Sequence, residues 1–138
     1  MSVGAEFHRE KCERSARLIQ LFLASVFLLL GGWCLLMPNM VEQLVFRPEY
    51  QHFSATSNLF MGCFGAQAVL VSVVISCSKF TAKTFLVFGL VGSIPFFIFN
   101  YHFYFTKQMF TDWMLLDFVG NLIILGCGLI GWQLLRKS

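Results

Sequence analysis

The chain has 138 residues, of which 57% are apolar and only 12% charged, with a mean hydropathy of +0.72 and a formal net charge of +3. A soluble domain is about 45–50% apolar and about 25% charged, so a fold this poor in charge could not cover its surface in water. The same apolar surplus, with Phe alone contributing 17 residues, excludes disorder and points to lipid as the solvent.

Four apolar stretches follow one another along the chain: about 16–37, 58–77, 84–105 and 113–135. Each is roughly 20 residues or slightly longer, enough for a helix to cross a hydrocarbon core of ~30 Å. The runs are continuous and lack the in-out alternation of a β-barrel. The expected fold is all-α: a single membrane domain over residues 1–138, built as a four-transmembrane-helix bundle. Short polar connectors, Ser78 to Lys83 and Thr106 to Asp112, predict antiparallel neighbours.

Charge sets the expected orientation. Arg9, Lys11, Arg14 and Arg17 precede the first span, Lys79 and Lys83 follow the second, and Arg136 and Lys137 follow the fourth. The other side carries only Arg47 and Lys107. The positive-inside rule therefore predicts both termini in the cytoplasm and the loop between spans one and two on the far side. The first span exceeds the roughly 7–15 residues of a signal-peptide core and reads as a retained anchor. Glu6, Glu10 and Glu13 argue against a mitochondrial presequence, and no lipidation box stands at either end. An endoplasmic-reticulum or other endomembrane location is preferred to the plasma membrane. The basic residues do not interleave with aromatics on a soluble face, so no nucleic-acid partner is expected.

The loop from Pro38 to Ser57 begins with Met40, Val41, Leu44 and Val45 at helical spacing, which predicts a short interfacial helix. Arg47-Pro48 should end it, and Ser54 to Asn58 supplies N-cap candidates for span two. Small residues mark the packing faces: Asn58, Gly62 and Ala66 on span two, Gly89 and Ser93 on span three, and Gly120, Gly126, Gly128 and Gly131 on span four. Pro95 predicts a kink in span three.

Polar side chains gather toward one leaflet. Asn58, Asn100, Tyr104, Asp117 and Asn121 are the candidate ligand-binding residues, with Asp117 the one acid placed within a span. Asp117 and Asn121 are four apart and share a helix face. An intramembrane acid usually faces the interior and is paired, and it marks a functional site by default. The competing reading is a shallow Asp favoured by the dipole of its own helix N-terminus. His52 and His102, with Asp112 or Asp117, are candidates for acid–base chemistry or a metal site, but no HxxxH or HExxH spacing accompanies them. No metal, cofactor or catalytic signature is expected. The five cysteines, Cys12, Cys34, Cys63, Cys77 and Cys127, contain no CxxC; a Cys34–Cys63 disulfide or palmitoylation at Cys12 and Cys77 is open.

The length, the Pro38 to Ser57 loop, the string from Asn58 to Ala66 (NLFMGCFGA) and the DFVGN ending at Asn121 carry a resemblance at the level of layout. On these features the chain resembles the DoxX-like proteins. In plan it is also similar to the sterol-isomerase-like (EXPERA) group and the ergosterol-biosynthesis scaffold family. The resemblance implies a small four-helix membrane protein, and it transfers no catalytic residue. Three functions stay open: a non-enzymatic protein binding a lipid-like ligand or membrane partner through the polar residues, a lipid- or sterol-modifying enzyme, and an assembly factor. The partners implied are membrane lipids, another membrane protein, or a second copy docking through glycine faces.

Overall fold

A computed structural model describes residues 3–136. Its helices are α1 (Val3–Leu36), α2 (Pro38–Val45), α3 (Ala55–Cys77), α4 (Ala82–Val91), α5 (Ile94–Tyr101) and α6 (Met114–Arg136). A 3₁₀ turn covers Pro48–Tyr50 and a π-helical turn covers His102–Thr106. Four stretches are long and apolar enough to cross a membrane: Glu6–Leu36, Ala55–Cys77, Ala82–Thr106 and Met114–Arg136. The expected spans are thus met by length and composition. Lys137, counted above among the basic residues, lies outside the described residues.

The first helix starts well before its apolar run. Its charged arm consists of good helix formers, and Arg9 reaches Glu13 one turn on at 3.1 Å, so the helix continues outward from the span. Span three is broken where Pro95 predicts. Ser93 precedes α5, Pro95 sits in its first turn, and the ladder slips to a Ser93 N–H donating to the Leu90 carbonyl at 3.3 Å.

The bundle consists of two tightly packed pairs. Helix α3 lies along α1, α4 and α5 lie along α6, and contact between α1 and α6 joins the pairs. Helices α3 and α4, consecutive in the chain, do not form a packed pair, which corrects the expectation drawn from their short connector. The reason is the single small face of α3. Gly65, Ala68, Ser72 and Ile75 are its buried residues, and α1 takes them. A Cβ on Gly65 would lie 2.5 Å from the Leu35 amide nitrogen and 2.6 Å from the Gly31 carbonyl oxygen, so only hydrogen fits. The Ser72 hydroxyl donates to the Ala24 carbonyl at 2.6 Å on the same seam.

The second pair closes the same way. A Cβ on Gly128 would meet Gly89 Cα at 2.6 Å, and the Phe85 ring lies over Gly131. Small residues let membrane helices approach closely, which matters because lipid supplies no hydrophobic force between them. The packing glycines differ in part from those expected: Gly62, Gly120 and Gly126 face open space and Ala66 is exposed. Between the pairs, Leu23, Ala24, Ile75, Phe80, Phe85 and Ile124 form the core, with Phe80 supplied by the connector.

The two ends of the bundle are closed by different chemistry. At one end the Arg17 guanidinium donates to the Ser76 and Ser78 carbonyls at 2.8 and 3.1 Å. The Gln20 amide donates to the Ile75 carbonyl, and to that of Ser78 at 2.7 Å. Together they cap the last carbonyls of α3 with a cation where the helix dipole favours one. At the other end the two connectors are stitched together. The Arg47 N–H donates to Met109 at 3.0 Å and the Thr111 N–H to Val45 at 2.8 Å, across an antiparallel bridge between Phe46 and Phe110. The Arg47 Nε donates to the Phe110 carbonyl at 3.1 Å. The long loop is therefore an ordered cap over this end.

Candidate functional site

In span three, α4 and α5 run antiparallel to α6 in a continuous register. Gly89 meets Gly128, Gly92 faces Ile124, Phe97 stacks on Phe118 at 5.0 Å, and Asn100 arrives opposite Asp117. Stepping outward along one helix is stepping back along the other, so residues about one turn apart meet partners one turn apart. The polar residues sit on the outermost rungs of this ladder.

Three of the expected site residues come together. The Asn100 Nδ2 donates to Asp117 Oδ2 at 2.7 Å, and the Asn121 Nδ2 donates to the same oxygen at 2.9 Å. Asn121 Nδ2 also reaches the Asp117 carbonyl at 2.9 Å. Asn100 and Asn121 are buried at 2% and 4% exposure, while Asp117 is half-buried. One bond ties this oxygen across to α5 and the other to the next turn of α6, while Oδ1 accepts none from a described residue.

The asparagine that orients Asp117 is itself incomplete. Asn100 Oδ1 is buried and accepts no hydrogen bond within the protein. Seven residues earlier, at the N-cap of α5, the Ser93 hydroxyl is fully buried and also unpartnered. Buried polar atoms are almost always paired, and each unpaired one costs about 1–3 kcal/mol. Of these two oxygens, the one on Asn100 belongs to the side chain that also binds the Asp117 carboxylate.

The other expected residues lie apart from this group. Tyr104 donates its hydroxyl to Asp112 Oδ1 at 2.7 Å, making a separate pair at the bundle rim. Asn58 is half-buried on the first turn of α3, where its Oδ1 is a third buried oxygen without a partner. His52 and His102 are exposed, and the His102 ring stands edge-on to Phe103 at 5.0 Å. No hydrogen bond or ion pair among the described residues joins either imidazole to Asp117. No group of three His, Cys, Asp or Glu among the described residues could hold a metal ion. All five cysteines are free; Cys34 is buried against α3, whereas Cys63 is exposed.

A residue outside the sequence expectation holds the cap. Glu42, on α2, is only 2% exposed. Its Oε1 accepts the backbone N–H groups of His52 and Phe53 at 2.7 and 3.0 Å, and its Oε2 accepts the Ser57 hydroxyl. Phe53 takes a left-handed conformation at φ 45°, unusual for an aromatic residue, and this carboxylate fixes its amide. Burial pushes the Glu42 carboxyl up, but the bonds from Ser57, His52 and Phe53 outweigh it and hold it below the ordinary carboxylate value. The sequence signal was a lone acid beside Val41 inside an apolar helical pattern.

That depression has a pH consequence. A carboxyl with a folded pKa below its unfolded value adds stability above the unfolded pKa, and loses it as pH falls through the folded one. Thermal unfolding in detergent should therefore show an acid limb in the wild type that Glu42→Gln flattens, with the two melting curves converging as the pH drops. A variant with the same acid limb as the wild type would remove Glu42 from that role.

Comparison of the chain with models of protein families, with curated proteins and with solved structures finds no match. The seam and the cap are therefore read from this chain alone.

Proposed function

We propose that this multi-pass membrane protein is non-enzymatic and binds a lipid-like ligand whose head group donates hydrogen bonds. Asn100 Oδ1, buried and unpartnered beside the Asp117 carboxylate, carries the reading. A hydroxyl or ammonium group placed there would satisfy Asn100 and use the open Asp117 Oδ1. Asn121 holds Asp117 in place, and Ser93 offers a second polar contact deeper along the seam. Asn58 and Tyr104 lie apart from this group and are not needed by the reading.

The membrane setting favours the donor. In a low-dielectric interior an unpaired carboxylate is costly, and its attraction for a donor or cation is correspondingly strong. Positive-inside topology supports an orientation with the cationic end, including both termini, in the cytoplasm. The seam then opens toward the non-cytoplasmic leaflet beneath the Pro38 to Ser57 cap. Replacement of Asp117 by Asn tests the proposal, because it preserves size and both asparagine contacts while removing the charge. Loss of a bound small molecule supports the seam as the site. Retention of a protein partner, with no small molecule and no effect of the substitution, favours an assembly factor.

A further inference from the structure

A cavity of about 410 Å³ opens at the opposite end of the bundle, where all four spans meet. Its polar wall comes from Glu13, Arg17 and Gln20 of α1 and from Ser78 and Lys79 of the connector; Phe80, Phe85 and Leu135 make its apolar wall. We propose that this cavity is a phosphate site, in which Arg17 and Lys79 hold the phosphate of an anionic lipid or a free phosphate.

Arg17 is fixed in place before any ligand arrives. Two of its N–H groups are spent on the Ser76 and Ser78 carbonyls, which orient the guanidinium plane, and the remaining donors belong to an exposed side chain that lines the cavity. Lys79 follows directly on the capped turn, is exposed, and makes no ion pair with a described residue. The only acid among the described residues of the wall, Glu13, has its carboxylate engaged by Arg9 at 3.1 Å. The local balance is cationic, and an anion here would bridge an anchored fork and an exposed point charge.

The apolar wall argues for a lipid-borne phosphate. Phe80 packs on Phe85 and Phe88 at 5.0 and 5.8 Å, and a second groove begins beyond it, running along α4 from Lys83 through Val87 and Phe88 to Val91 and Gly92. A head group at Arg17 and Lys79 could thus lay an acyl chain along apolar surface. Basic pockets between spans on the cytoplasmic side bind anionic head groups in this manner, at a modest gain for each cation. This site is independent of the Asn100–Asp117 seam, which lies at the other end.

Native mass spectrometry of the full chain, with phosphatidylglycerol or phosphatidylcholine added in separate arms, tests the proposal. Phosphatidylglycerol adducts should exceed phosphatidylcholine adducts, and Lys79→Gln should reduce them roughly fivefold. Lys79 is exposed and caps nothing, so its variant should melt with the wild type, whereas Arg17→Gln also removes the α3 cap and should lower the melting temperature along with the adducts. A third arm adds inorganic phosphate: if it fails to displace the lipid the phosphate is lipid-borne, and if it displaces the lipid and stabilises the protein alone the source is free phosphate. Equal adducts of the two lipids, or an unchanged Lys79→Gln, would overturn the site. Asp117→Asn should leave these adducts unaltered, which separates failure here from failure of the seam.

Discussion

Glu42→Ala should destabilise the protein by about 3 kcal/mol and loosen the cap between α1 and α3. The carboxylate binds three donors from two separate stretches of loop, the Ser57 hydroxyl and the amides of His52 and Phe53. Hydrogen bonds to a charged group are worth roughly 1.5–3 kcal/mol each, and exposed donors recover part of that from water, so the net is about one to two full bonds. Without Glu42, the left-handed Phe53 has no anchor for its amide. The bridge from Phe46 to Phe110 joins the cap to the second outer connector, so that connector should loosen as well. Thermal unfolding and limited proteolysis of the variant in detergent check this. A melting curve identical to that of the wild type, with the loop still resistant, would contradict it.

The second large effect is expected on the seam between α1 and α3. Gly65→Ala should cost about 3 kcal/mol, because its new methyl would meet backbone of α1 on three sides. Flexible side chains can turn away from a clash, but the Leu35 nitrogen, the Gly31 oxygen and the Cys34 carbonyl carbon cannot. The helices would have to part, and the Ser72 to Ala24 bond on the same seam would lengthen. Gly62→Ala is the matched control. It lies on the same helix with nothing within 4 Å of the added carbon, so it should be neutral or stabilising by up to about 1 kcal/mol through helix propensity. Denaturant or thermal unfolding of the two variants side by side gives the comparison. Equal effects would mean that α1 and α3 do not meet through Gly65.

These two residues mark where the sequence was readable. The four spans were plain because each needs only length and hydropathy, and the Pro95 break followed from a missing N–H and a ring in a helix interior. Asn100, Asp117 and Asn121 were found together because a polar residue inside an apolar run has few places to go. Glycine spacing was a weaker guide. Residues four apart, such as Gly62 and Ala66, share a face, but nothing in their spacing says whether that face meets a helix or lipid. Gly65 lies one residue from Ala66, and the register of α1 alone makes it the contact. Neighbour order failed for the same reason: a short connector limits distance, whereas packing follows the face on which the small residues fall. Glu42 was overlooked because its three donors lie 10 to 15 positions further along the chain and meet it only when the loop folds back. Tyr104 was grouped with Asp117 by depth, yet the π-helical turn at His102–Thr106 aims it at Asp112.

The cap also reaches into α3: Asn58 lies in its first turn, one residue after Ser57, whose hydroxyl Glu42 holds. Loosening the cap in Glu42→Ala should therefore free the first turn of α3 as well, whereas Gly62→Ala should leave it in place.

Native mass spectrometry of the wild type beside Asp117→Asn, both purified in mild detergent, tests the central claim most directly. The wild type should carry a small lipid-like molecule with a donor head group, and the variant should lose at least about tenfold of it, the factor equivalent to about 1.4 kcal/mol of a charge-assisted hydrogen bond. Its melting curve should stay close to that of the wild type, since Asn100 and Asn121 keep their contacts. The same lipid held equally by both proteins, or no small molecule on either, would contradict the claim that the Asn100–Asp117 seam is a binding site.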